Sequence, residues 1–92
     1  MNQMKDYREY LEPGVKESFE SAVKALREKV GKAAATIAEM HINEAMVDYK
    51  MASYMHGYFT AMAETLPEYH KIFYTASTNM IHFKYYHYNE ED

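Results

Sequence analysis

The sequence predicts an all-α protein: a short N-terminal helix, one long amphipathic coiled-coil-like helix, and an antiparallel C-terminal helix, assembled into a helical bundle by oligomerisation. Three observations carry that expectation. Apolar residues recur at alternating spacings of four and three from Phe19 to Ala61, the signature of one helical face turned to a partner. The only two prolines, Pro13 and Pro67, bracket that stretch instead of interrupting it. The apolar share is 48% with three glycines, too apolar and too poor in breakers for a disordered chain. The 92 residues read as a single domain, near the size at which a monomeric core becomes marginal.

Residues 1–12 place Met4, Tyr7 and Leu11 on one helical face before Pro13 and Gly14, which predicts a short leading helix and a change of direction after it. Residues 14–66 then form the long helix, with positions a and d of successive heptads at Phe19, Val23, Leu26, Val30, Ala33, Ile37, Met40, Glu44, Val47, Met51, Tyr54, Tyr58 and Ala61. Lys16, Glu20, Lys24, Glu28 and Lys32 alternate in sign at i+4 on the outer side, a solvated face in which each neighbouring pair adds about 0.2–0.5 kcal/mol to helix stability. Gly31 is the weak point, because a mid-helix glycine costs about 1 kcal/mol relative to alanine. Its neighbours Val30, Lys32, Ala33 and Ala34 include no capping residue, so a continuous or kinked helix is expected there, with a reversal as the alternative.

Thr65 and Leu66 close the long helix and Pro67 opens the next, since proline suits a first helical turn. Residues 67–88 carry Tyr69, Phe73, Ala76, Met80 and Phe83 on one stripe, and the acidic tail 89–92 is expected to fray against the helix dipole. A helix over 14–66 would be about 76–80 Å long at 1.5 Å per residue, whereas the last spans only about 33 Å. The uncovered stripe therefore calls for another copy. The expected oligomer interface comprises Phe19, Val23, Leu26, Val30, Ile37, Met40, Glu44, Val47, Met51 and Tyr54, and the expected state is a homodimer.

Function is read from what the residues exclude and favour. There is no cysteine, which removes disulfides and thiolate chemistry and makes a reducing cytoplasm the expected location. The first residues lack the apolar core of a signal peptide and no apolar run has membrane-spanning length. Residues 47–92 hold three basic and six acidic side chains, the wrong bias for a phosphate-binding surface, so nucleic acid is not the expected ligand. No nucleophile lies beside a recognisable base, and no glycine-rich phosphate loop is present. The expectation is a protein that is not an enzyme and needs no cofactor.

Ten tyrosines and eight methionines, against three leucines, suit a surface that recognises another protein. Tyr74, Tyr85, Tyr86, Tyr88, Met55 and Phe59 form the expected partner-binding set, and an adaptor or inhibitor, such as a phage directs at a host protein, is the expected class. Pure self-assembly is the alternative. A lesser candidate is a metal site: His41, Glu44 and Asp48 stand at i, i+3 and i+7, one face of a continuous helix, with ligand types that suit zinc or manganese.

Overall fold

The computed structural model describes residues 11–89, which form helices α1 (Pro13–Lys29), α2 (Lys32–Ala45) and α3 (Tyr49–Thr65), a turn of 3-10 helix (Pro67–Tyr69), and α4 (His70–Asn89). The all-α expectation holds. The long helix does not: the span 14–66 is three helices separated by two tight reversals.

Pro13 sits in the first turn of α1, where its missing N–H would have had no partner and its fixed φ is already helical. Arg27 and Lys29 lie in the last turn and complement the negative end of the dipole. The N–H groups of Val30 and Gly31 both reach back to the Leu26 carbonyl, at 2.8 and 2.9 Å. Gly31 then adopts φ 148° and ψ 167°, a region closed to side chains of L configuration. That single residue turns the chain, so the reversal needs no run of capping residues.

The second reversal lies at Met46–Asp48. Met46 and Val47 donate to the carbonyls of Asn43 and Glu44, tightening the end of α2. Asp48 is extended, and its carboxylate accepts from the amides of Lys50 at 2.9 Å and Met51 at 3.4 Å. This is an N-cap, which satisfies donors that the first turn of α3 leaves open.

At the third junction sequence and structure agree. Leu66 donates to the Met62 carbonyl and closes α3, and Pro67 opens the 3-10 turn that leads into α4.

Side-chain pairs fix the directions of the four helices. Between α3 and α4 they run from His70 Nδ1 with the Ala63 carbonyl (3.1 Å), through Thr60 with Ser77 (2.7 Å), to Lys84 with Ser53 (3.1 Å). Asn79 donates to Ser18 at 2.9 Å, and Lys29 pairs with Glu68 at 3.4 Å at the other end of α1. His41 meets Tyr54 edge-on at 5.4 Å across α2 and α3. Each helix thus runs antiparallel to the next, and α4 returns beside α1, in an up-down-up-down bundle.

Phe19 from α1, Phe59 from α3 and Phe73 from α4 meet at its centre, with ring centroids 6.1 and 6.3 Å apart. Around them the core is rich in alanine: Ala22, Ala25, Ala35, Ala38, Ala45, Ala52, Ala63 and Ala76 are all buried.

The reversals reset the helical phase, and this corrects the expected oligomer seam. Phe19, Val23 and Leu26 are buried in the chain's own core. In α2 the inward face falls on Ala35, Ala38, Ile42 and Ala45, leaving Val30, Ile37, Met40 and Val47 with half or more of their surface exposed and Glu44 partly so. In α3 it falls on Ala52, Met55, Phe59 and Ala63, so Tyr54 is exposed while Met51 and Tyr58 pack at the core's margin. The expected leading helix and acidic tail fall mainly on residues 1–10 and 90–92, outside the described residues.

Candidate interaction face

Two of the residues displaced from the seam, Ile37 of α2 and Tyr54 of α3, meet at one groove. Ile37, Met40 and Tyr54 are 50%, 54% and 52% exposed, Ala33 is exposed on the same side of α2, and Val30, at the end of α1, is 55% exposed. The groove between α2 and α3 has a volume of about 190 Å³ and is lined by Ala34, Ile37, Ala38, His41, Tyr54, Met55 and Tyr58.

The rings that form its wall are held by one another. Tyr54 stacks on Tyr58 at 6.2 Å and receives the edge of His41. Burial, and then the neighbouring Tyr54, push the Tyr58 hydroxyl above its ordinary pKa of 10.0, so it stays a neutral hydrogen-bond donor at physiological pH.

The groove is lined by no Asp, Glu, Lys or Arg, and α3 has none between Lys50 and Glu64. On α1, by contrast, Lys24, Arg27, Glu28 and Lys29 are all exposed. A half-exposed apolar strip beside that groove differs from the scattered apolar residues found on any surface.

The expected partner-binding residues divide. Met55 and Phe59 are wholly buried, Met55 beneath the groove and Phe59 in the core; each lies one helical position past a heptad residue, Tyr54 or Tyr58, and points inward once the phase is reset. Tyr74 and Tyr85 are exposed. They lie about 16 Å apart along α4 at 1.5 Å per residue, too far to form one patch. Tyr74 stacks on His70 at 5.7 Å. Tyr86 and Tyr88 lie outside the residues whose side chains are described. Lys84, the cation of that aromatic run, bonds Ser53 and lies 5.1 Å from the centre of the Tyr49 ring, an intramolecular cation–π contact.

The three candidate metal ligands do not assemble. Asp48 lies beyond the end of α2, so the i+7 relation to His41 is not a helical one, and its carboxylate is engaged as a cap. Among the described residues no group of three His, Asp or Glu side chains is placed to hold an ion. Replacing Asp48 with alanine should therefore act as loss of a cap, lowering stability by about 1 kcal/mol. Chelator should leave the melting temperature of the unsubstituted chain unchanged. A denaturation series with and without chelator checks both.

The inner polar contacts are structural. Ser77 is buried, and Thr60 donates to the His56 carbonyl at 2.8 Å while meeting the Ser77 hydroxyl at 2.7 Å. Burial, and then the charge on Lys84, lower the pKa of the His56 ring below 6.5, so it is neutral at physiological pH.

Comparison with known proteins gives no match to a family model, a curated protein or a solved structure. Among the described residues no helix is long and apolar enough to cross a membrane.

Proposed function

We propose that this chain is a non-catalytic protein-interaction module whose docking surface is the α2–α3 face. One observation carries the reading: Ile37 and Tyr54, with Met40 one turn on from Ile37, remain half-exposed at a groove lined by no Asp, Glu, Lys or Arg. Aromatic residues and methionine are enriched at the centres of protein interfaces, and charged residues are depleted there. The exposed Tyr74 and Tyr85 of α4 make a more dispersed second surface.

The test places a photo-crosslinking residue at Ile37 or Met40, and as a control at the exposed, charged Glu28, in the cells that naturally make the protein. Crosslinks to a protein from the two α2 positions and not from Glu28 are expected. Equal yields at all three positions, or none, would overturn the reading.

A further inference from the structure

Resting on that docking reading, we propose that the occupant of the α2 face is a second copy of the same helix, lying antiparallel across a two-fold axis near Ile37. Within α2 the outward stripe Ala33, Ile37, Met40 and Glu44 keeps alternating spacings of four and three. That periodicity matches another helix packed along it.

The stripe's two ends are complementary to each other. Glu44 is its only charged member and lies in the last turn of α2, where the dipole of its own helix disfavours a carboxylate. At the other end Gly31 supplies no side-chain cap, the first turn contains no acid, and Lys32 adds a positive charge. Among the described residues no salt bridge engages Glu44 or Lys32.

Antiparallel pairing brings each Glu44 to the open amides and the lysine at the start of the partner's α2, and two-fold symmetry makes the contact twice. It also sets small Ala33 toward the bulkier Met40–Glu44 end of the other copy. Parallel pairing would instead oppose carboxylate to carboxylate and lysine to lysine. A helix of 14 residues is about 21 Å long, so the interface is a small one.

Sedimentation equilibrium of the full chain, from low to high micromolar concentration, reads the result. The unsubstituted protein should pass from monomer to dimer. Ile37→Glu, at a half-exposed position, should weaken the dimer by about tenfold or more with the helical circular dichroism unchanged; Met40→Lys is the second variant should the first misfold. Lys32→Glu and Glu44→Lys should each weaken self-association, and an equimolar mixture of the two should restore it as a heterodimer, because every contact is then between opposite charges.

A monomer throughout, or a dimer indifferent to both Ile37→Glu and Met40→Lys, would overturn the second-copy inference. A mixture that fails to restore association would overturn the antiparallel pairing. If the chain is monomeric while crosslinks at Ile37 capture a different protein, only this inference falls; if it is monomeric and no crosslink forms, the docking reading falls with it.

Discussion

Phe59→Ala is expected to destabilise the bundle by about 3–5 kcal/mol, the range for removing a large aromatic side chain from a core. Phe59 is fully buried, and its ring touches the environments of both Phe19 and Phe73, so one truncation opens a cavity where α1, α3 and α4 meet. Against a typical total stability of about 5–15 kcal/mol, the variant should be partly unfolded in mild denaturant. The comparison that gives this result meaning is Tyr54→Ala, five residues earlier on α3 and half-exposed, which should change stability by no more than about 1 kcal/mol. Urea unfolding of both variants decides between two helical phases. If Tyr54→Ala proves the costlier change, α3 presents its heptad face inward and the four-helix arrangement is wrong.

That pair of residues also shows what the sequence could and could not convey. Helix class follows from local rules and the structure bears it out; so does the stripe of Phe73, Ala76 and Met80 on α4, which is buried, whereas the helix expected from residue 14 begins at Pro13. The two reversals are hidden because a heptad pattern runs through them: Ala33, Ile37 and Met40 continue the spacing of Phe19, Val23, Leu26 and Val30 although the chain turns at Gly31 between the two groups.

The true inward residues of α2 are mostly alanines. They carry little weight in a hydropathy pattern, yet they let neighbouring helices approach closely. Their larger neighbours Ile37 and Met40 dominate the heptad pattern instead. Asp48 was legible in principle, since an aspartate immediately before a helical segment is an N-cap signal. Its distance of seven residues from His41 supports a ligand reading only if the helix is continuous. The face now proposed for docking uses Ile37, Met40 and Tyr54 from the predicted oligomer seam. Its groove could not have been read from the pattern, because the groove exists only once α2 and α3 pack antiparallel.

Gly31→Ala should lower stability by about 1–3 kcal/mol, the cost of forcing an L residue into a backbone region that is essentially restricted to glycine. A continuous helix through this position predicts the opposite sign, a gain of about 1 kcal/mol from replacing a mid-helix glycine. Crowding does not enter, because a Cβ built at Gly31 meets nothing within 4 Å; the whole effect resides in φ 148° and ψ 167°. Asparagine should not rescue the variant, since these torsions lie outside the left-handed helical region that asparagine tolerates. D-alanine should, because inverting both torsions gives ordinary extended backbone for the mirror-image residue. With that geometry satisfied and the unfolded chain restricted, a D-alanine protein made by chemical ligation should be as stable as the glycine form, or more so by about 0.4–1 kcal/mol. Thermal or urea unfolding of the three chains reads the order directly: D-alanine at or above glycine, and L-alanine below it. An L-alanine variant more stable than the glycine protein would mean that residues 14–45 form one helix and that the reversal between α1 and α2 does not exist.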